Sequence, residues 1–307
     1  MKYRRLGKTN LKVSVIGIGT WQFGGEWGKD FSQVEVDRMF ARGGELGLNL
    51  IDTAECYGDH LSESLIGRAI EKDRSRWVVA TKFGHRFHGY MNRSEPRRPE
   101  DVVQQLEESL KALRTDYIDL YQFHSWGNKD FDQPEVWNVL EKLIKSGKVR
   151  HVGSSISPND NMHQIEWADQ AHIEAIQVLY NRLDRKPEQA VLPACRRQDL
   201  GVLARVPLAS GLLSGRHKIG KTFAPGDYRG DKKQEEIDDK LRQAEQVRQT
   251  EVPSGVDMAQ WALAWCLQHE AISCVIPGCK SVEQVESNAA AAGLAMVSDD
   301  HPLAWRG

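Results

Sequence analysis

The chain has 307 residues, which is enough for one large α/β domain or two smaller ones. Lysine and arginine (41) nearly balance aspartate and glutamate (43), and no long block of one sign occurs, so the charge gives no reason to expect binding to nucleic acid or a membrane. The five cysteines form no CxxC pair and no metal-ligand spacing, and the N-terminus lacks the apolar segment of a signal peptide. We expect a cytoplasmic protein with free thiols, no metal and small-molecule partners, and homo-oligomerisation stays open.

Hydrophobic periodicity predicts a short β-hairpin over residues 3–15, followed by alternating strands and helices. The predicted strands lie near residues 15, 50, 79, 119, 152, 177, 203 and 274, and the predicted helices cover residues 32–46, 62–70, 99–113, 134–145, 159–170, 187–198, 256–269 and 281–292. Eight such units in residues 1–307 predict a single-domain (β/α)8 TIM barrel. An open doubly wound sheet is the alternative, but at this length it would normally have fewer units or a second domain.

A long insertion, residues 205–255, separates the seventh and eighth predicted strands. It follows the carboxyl end of a strand, where barrels place their functional loops. Long loops at that face are more often functional than idle, so we expect the insertion to contribute to a site.

Four chemically related side chains follow successive predicted strands. Asp52 and Tyr57 follow the second strand, Lys82 the third and His124 the fourth. Each alone would more often be a cap, a surface ion pair or a core residue. Together they form an acid/base set, because a lysine ammonium favours the ionised form of a neighbouring tyrosine and an aspartate keeps the lysine charged. We therefore predict that these four residues are catalytic.

Several short motifs along the chain point to one known family. They are Gly19-Thr20-Trp21, Ile51-Asp52-Thr53-Ala54 with Tyr57-Gly58, Ser62-Glu63 with Leu65 and Gly67, Thr81-Lys82, Asp116-Tyr117-Ile118-Asp119-Leu120-Tyr121 with His124, Gly147-Lys148-Val149-Arg150, Gln177 with Tyr180-Asn181, Pro207-Leu208 with Gly211-Leu212-Leu213, and Ile276-Pro277-Gly278 with Asn288. With these motifs the chain resembles the aldo-keto reductases over nearly its whole length.

The resemblance implies a (β/α)8 barrel that reduces carbonyl groups with NADPH and needs no metal. It places the family's catalytic tetrad on Asp52, Tyr57, Lys82 and His124, with Tyr57 as the general acid in reduction and the base in oxidation. The substrate class would be aldehydes, ketones, sugars or polyols. The family also includes potassium-channel β subunits that hold the cofactor and turn over slowly, so a cofactor-binding regulatory protein is the alternative.

The resemblance also implies a set of NADP(H)-binding residues. They are Gly19, Thr20, Trp21, Asp52, Ser155, Gln177, Arg205, Pro207, Leu208, Ser210, Gly211, Leu213, Gly215, Ile276, Gly278, Lys280, Gln284 and Asn288. Two positions near the nicotinamide depart from the family pattern, since Ile156 stands where asparagine is usual and Arg205 where an aromatic residue commonly stacks. Lys280 favours NADP over NAD, although Gln284 replaces an arginine that many relatives carry.

Aromatic and histidine side chains near the strand ends are candidates for the substrate pocket. The predicted pocket residues are Trp21, Tyr57, Phe83, His85, His124 and Trp126, with Tyr228 or Arg229 from the insertion as additions. Each of these residues could equally serve in loop packing.

Overall fold

A parallel eight-stranded sheet forms a nearly closed barrel in the computed structural model, which describes residues 1–306. In chain order the strands are β1 (Tyr3–Arg5), β2 (Lys12–Ser14), β3 (Ile18–Gly19), β4 (Leu50–Asp52), β5 (Val78–Phe83), β6 (Arg86–Gly89), β7 (Asn92–Ser94), β8 (Ile118–His124), β9 (Val149–Ser155), β10 (Ile173–Leu179), β11 (Gly201–Arg205) and β12 (Cys274–Ile276). The order around the barrel is β3-β4-β5-β8-β9-β10-β11-β12, and parallel bridges from Ile16 to Val275 and from Gly19 to Gly278 join its two edges. The prediction of a (β/α)8 barrel is confirmed.

The helices lie between successive barrel strands, except the last, which follows the final strand. They are α1 (Gln33–Glu45), α2 (Leu61–Ile70), α3 (Pro99–Leu113), α4 (Asn128–Phe131), α5 (Pro134–Lys145), α6 (His163–Glu166), α7 (Val191–Arg197), α8 (Gln234–Thr250), α9 (Met258–Leu267) and α10 (Val282–Ala290). Buried side chains from their inner faces pack against the outward-facing side chains of the strands. In residues 1–306 no helix combines the length and hydrophobicity that a membrane span requires.

The N-terminal hairpin β1–β2 covers the amino ends of the strands. Leu6 and Val13 are fully buried against strand-start residues such as Leu50 and Val78. The buried Arg4 donates hydrogen bonds to the carbonyl oxygens of residues 267 and 272, at 2.8 and 2.6 Å. Within residues 1–306 this end of the barrel is therefore closed, which leaves the carboxyl end of the strands for the entry of a ligand.

Two predicted helices are shorter than expected. The helix expected over residues 159–170 is reduced to α6, because Asn161 accepts a hydrogen bond from the backbone of His163 and the preceding residues form turns. The helix expected over 187–198 is divided into a 3₁₀ turn, Lys186–Gln189, and α7.

Among the further elements that were not predicted are the hairpin β6–β7 after β5, the short helix α4 and helix α8 within the insertion. Helix α8 packs its apolar face against α9 and the segment after β11, so most of the insertion is ordered structure beside the open end of the barrel.

Candidate functional site

The four acid/base residues meet at the carboxyl end of the barrel. Lys82, which is fully buried in β5, donates hydrogen bonds to Asp52 Oδ2 at 2.9 Å, to the Thr53 carbonyl oxygen at 2.6 Å and to the Tyr57 hydroxyl at 3.3 Å. The ring centroids of Tyr57 and His124 are 6.1 Å apart. The side chains that the sequence placed at three successive strand ends therefore form one cluster.

Tyr57 keeps its proton at neutral pH. Burial raises the pKa of its hydroxyl above the ordinary value, and the positive charge of Lys82 opposes this rise. For Lys82, burial acts to lower the pKa, but Asp52 and Tyr57 outweigh it, so the pKa of the ammonium is raised. The pair is thus a neutral phenol whose oxygen accepts a hydrogen bond from a charged ammonium.

Asp52 is held by amide side chains as well as by Lys82. Gln177 Nε2 donates to Asp52 Oδ1 at 2.6 Å, and Gln122 Nε2 lies 3.5 Å from the same oxygen. Ser155 donates to Gln177 Oε1 at 3.2 Å. Because all these residues are nearly fully buried, the network fixes the carboxylate in one orientation.

His124 ends β8 beside three other polar side chains. Its Nδ1 lies 3.7 Å from Cys56 Sγ and 3.9 Å from Glu55 Oε2. The ring of His85 packs edge-on against it, with 4.7 Å between centroids. Glu55 is buried, and its Oε1 accepts a hydrogen bond from the His85 backbone at 2.9 Å.

The imidazole of His124 is neutral. Burial lowers its pKa well below the ordinary value, and the positive charges of Lys82, Arg93 and Arg205 act in the same direction. A neutral imidazole has one donor and one acceptor nitrogen. If Nδ1 accepts from the Cys56 thiol, the donor is Nε2.

The donor atoms of Glu55, Cys56 and His124 lie within 4.8 Å of one another, which is close enough for a metal ion. However, burial raises the pKa of both the Glu55 carboxyl and the Cys56 thiol, so both groups favour their neutral forms. The neighbouring charges of Lys82 and Arg93 also disfavour a cation. We therefore assign no metal to this cluster.

A cavity of about 650 Å³ extends from Tyr57 to the N-terminus of α10. Most predicted cofactor residues line it, namely Gly19, Thr20, Trp21, Asp52, Ser155, Gln177, Arg205, Pro207, Leu208, Ser210, Gly211, Ile276, Gly278, Lys280, Gln284 and Asn288. Of the predicted substrate-pocket residues, Trp21, Tyr57, His85 and His124 line it too. Its size is typical of a cavity for a cofactor and a small substrate.

Besides the buried Lys82, four predicted site residues are not among those that line this cavity. Phe83 and Trp126 are fully buried and pack against each other, with ring centroids 5.5 Å apart. Phe83 follows Lys82 in β5, and neighbouring residues of a strand point to opposite faces, so Phe83 faces the helices instead of the barrel interior. Leu213 packs in the apolar cluster beneath α8, and Gly215 lies beside Met258 of α9. The structure therefore places these four residues outside the cavity lining, and their assignment to the site stays a prediction.

The cavity has a strongly positive lining. Four arginines and one lysine line it (Arg93, Arg205, Arg216, Arg229 and Lys280), whereas Asp52 is the one carboxylate among the described lining residues. Only part of this charge is neutralised within the protein, for example by the Arg229 pair with Asp227 at 2.6 Å. Such a cavity favours an anionic ligand.

The insertion and the loop after β3 meet over the cavity. Trp27 and Asp227 form an antiparallel bridge, and Tyr228 donates from its backbone to the Glu26 carbonyl oxygen at 3.1 Å. The rings of Trp21 and Trp27 each lie within 5 Å of Tyr228, with both centroid distances 4.7 Å. Tyr228 therefore lines the cavity, as proposed from the sequence.

Several lining residues were not predicted, including Gln22, Trp27, Arg93, Arg216 and His217. Arg93 lies in the unpredicted strand β7 and pairs with the buried Glu26 at 2.5 Å. Arg216 and His217 directly follow Gly215, the last residue that the sequence predicts for the site in this segment. The segment with Arg93 follows β5, and the segment with Arg216 and His217 follows β11. Their position after the carboxyl ends of barrel strands could have indicated that they line the site.

The segment after β11 has an unusual backbone conformation. Val206, Ala209, Ser210 and Gly211 all have positive φ angles, between 47° and 88°. Such a conformation is rare for residues with a side chain, above all for a β-branched valine, and clusters at functional sites. Backbone N–H groups in runs of this kind can surround an oxyanion. Residues of this segment and of the start of α10 line the same cavity, and the Ser281 side chain caps the helix.

Comparison with known proteins fits this geometry. A model of the aldo/keto reductase family matches residues 15–303. The chain belongs to this family. It is therefore an oxidoreductase, and the eight-stranded barrel is the fold of its relatives.

One relative is the NADH-specific methylglyoxal reductase of Escherichia coli (strain K12). It is 31% identical to this chain, and the match covers 99% of this chain and 97% of the relative. A probable voltage-gated potassium channel subunit beta of Oryza sativa subsp. japonica is 29% identical over 94% of this chain and 90% of that protein.

Two solved structures illustrate the similarity in fold. The holo form of aldo-keto reductase AKR11C1 from Bacillus halodurans has a TM-score of 0.82 at 29% identity, with 98% of this chain and 94% of that chain covered. An aldo/keto reductase from Klebsiella pneumoniae, in complex with NADP and acetate, has a TM-score of 0.71 at 29% identity, with 99% and 97% covered.

Proposed function

We propose that this aldo/keto reductase uses NADP(H) to interconvert a small carbonyl compound and its alcohol, with Tyr57 as the general acid and base. The observation that carries the proposal is the hydrogen bond from Lys82 Nζ to the Tyr57 oxygen at 3.3 Å. Because the hydroxyl oxygen accepts this bond, its own proton is free to be donated into the cavity.

When bound in this cavity, a reduced nicotinamide would supply the hydride for reduction of the carbonyl carbon. Tyr57 gives its proton to the carbonyl oxygen, so that C=O becomes CH–OH, and Lys82 stabilises the phenolate that remains. His124 donates a hydrogen bond to the same oxygen from Nε2. In the oxidative direction the phenolate takes the proton of the alcohol, and Asp52 keeps Lys82 charged and in place throughout.

The residues at the far end of the cavity fit a phosphorylated dinucleotide. Lys280 donates to the Trp27 carbonyl oxygen at 2.7 Å. Burial lowers the pKa of Lys280, the negative charge of Asp227 opposes this, and the nearby charges of Arg229 and Lys29 lower the pKa further. An added phosphate would relieve this repulsion, which supports NADP over NAD. The E. coli relative is named as NADH-specific, so the preference needs a direct test.

Substitution of Tyr57 by phenylalanine tests the catalytic role. We expect Tyr57→Phe to lower kcat for carbonyl reduction by about 100-fold or more, because it removes the proton donor, and to leave the Kd for NADPH unchanged. Loss of nicotinamide absorbance with a panel of aldehydes, ketones and sugars gives the rate. Tyr117→Phe is the matched control, because Tyr117 precedes β8 at the opposite end of the strand from His124. Full activity of Tyr57→Phe would refute the assignment.

Substitution of Lys280 by methionine tests the cofactor preference. The expected result is weaker binding of NADPH by about tenfold, with little change for NADH, because only NADPH carries the extra phosphate. Isothermal titration with both cofactors measures it. Equal weakening of both would show that Lys280 contacts a part that the two cofactors share.

A cofactor-binding regulatory role is the second candidate, favoured by the similarity to the channel subunit. Tight binding of NADP(H) without turnover of any carbonyl or polyol would support this role. Turnover that depends on Tyr57 would exclude it as the sole function.

A further inference from the structure

Two residues that depart from the family pattern contact each other. Arg205 ends β11 and lines the cavity, and its Nη2 donates to the carbonyl oxygen of Ile156 at 3.2 Å. Ile156 follows β9 and is itself fully buried. The guanidinium is therefore held at one position by a backbone carbonyl of the neighbouring barrel segment.

Arg205 brings an incompletely paired positive charge to the end of the cavity that contains Tyr57. Its Nε is buried and has no hydrogen-bond partner within residues 1–306. Burial lowers the pKa of Arg205, and the nearby Tyr57, Asp52 and Asp184 oppose this. An arginine stays charged under these conditions. The positive charge of Arg205 also helps to lower the pKa of His124.

We propose that Arg205 makes this protein bind the reduced nicotinamide cofactor more tightly than the oxidised form. This inference rests on the proposed function, in which the nicotinamide ring lies near Tyr57. The ring is neutral when reduced and carries one positive charge when oxidised, whereas the rest of the cofactor is the same in both forms. Repulsion from a fixed guanidinium therefore acts on the oxidised form alone.

The size of the effect follows from Coulomb's law. Two unit charges about 6 Å apart change an equilibrium constant about threefold at the dielectric constant of water and about 100-fold at an effective value near 20. A cavity that is partly open lies between these limits, so we expect about a tenfold preference. One consequence is faster release of the oxidised cofactor after each reduction, because affinity differences of this kind arise mostly in the dissociation rate.

The test measures the Kd of NADP⁺ and the Kd of NADPH by isothermal titration without substrate. The ratio of the first to the second is then compared between the unsubstituted protein and its variants. The expected ratio is about ten in the unsubstituted protein, about one in Arg205→Gln and near the original value in Arg205→Lys, which keeps the charge. Lys280→Met is the control, because it lies at the far end of the cavity and should change both Kd values by the same factor.

The possible results distinguish a failure of the inference about Arg205 from a failure of the proposed function. An unchanged ratio in Arg205→Gln, or equal weakening of both forms, overturns the inference, because Arg205 would then contact a group that both forms share. An unsubstituted protein that binds the oxidised form at least as tightly also overturns it, and this measurement does not depend on the folding of a variant. Failure of both forms to bind the unsubstituted protein would instead overturn the proposed function.

Discussion

Removal of the Lys82 ammonium should be among the most destabilising single changes at the site. Lys82→Met leaves the buried Asp52 without its charge partner at 2.9 Å and the Thr53 carbonyl oxygen without its donor at 2.6 Å. Breaking a buried ion pair by removal of one partner costs about 3–5 kcal/mol. The hydrogen bond that Gln177 donates to Asp52 at 2.6 Å remains, so we expect a loss of about 3–4 kcal/mol in the free energy of unfolding.

Urea denaturation of Lys82→Met, Lys145→Met and the double variant Lys82→Met/Asp52→Asn measures the free energy of unfolding. The comparison separates the cost of the broken ion pair from the effect of losing any lysine. Lys145→Met removes an exposed ammonium that lies 2.7 Å from Glu141, and it should cost less than about 1 kcal/mol. The double variant Lys82→Met/Asp52→Asn should recover about 2 kcal/mol relative to Lys82→Met, because no unpaired charge remains. A loss below about 1 kcal/mol for Lys82→Met, or no recovery in the double variant, would contradict the assignment of a buried ion pair.

Two further predictions concern the loop after β5. Gly84→Ala should be less stable than Gly89→Ala by about 1–3 kcal/mol in urea denaturation. Both glycines have positive φ (113° and 127°), but an added Cβ would lie 1.8 Å from Trp126 at Gly84 and meets nothing within 4 Å at Gly89; equal losses would refute the clash. The pKa of His85 is lowered to about 4 by burial and by His124, with Glu55 acting in the opposite direction. The unfolded chain therefore takes up this proton first, and the contribution of neutral His85 to stability is present above about pH 6.5 and lost between about pH 6.5 and 4. His85→Gln should lose less stability across that interval than the unsubstituted protein, and identical pH profiles of the free energy of unfolding would refute this.

The cluster of Asp52, Tyr57, Lys82 and His124, which we propose to be catalytic, could be predicted from the sequence because strand ends are local features. The apolar runs around residues 50, 79 and 119 define three neighbouring strands, and the barrel geometry then brings their carboxyl ends together. The alternation of side chains along a strand also indicates which residues face the barrel interior and which face the helices. In β8, Gln122 and His124 face the barrel interior, where Gln122 reaches Asp52, whereas Tyr121 and Phe123 pack outward against Phe83. Applied to β5, the same rule assigns Lys82 to the interior and Phe83 to the outer layer.

Other parts of the site depend on contacts between segments that are far apart in the chain. The bridge between Trp27 and Asp227 and the hydrogen bond from Arg205 to Ile156 join segments that only the closed barrel brings together. No local pattern predicts such contacts, because neither partner shows a periodicity or a capping signal that depends on the other. The sequence alone presents Ile156 and Arg205 as two separate departures from the expected nicotinamide contacts. In the structure they form a single unit, in which the backbone of residue 156 holds a guanidinium in the cavity that Tyr57 also lines, and the proposed preference for the reduced cofactor follows from this one contact.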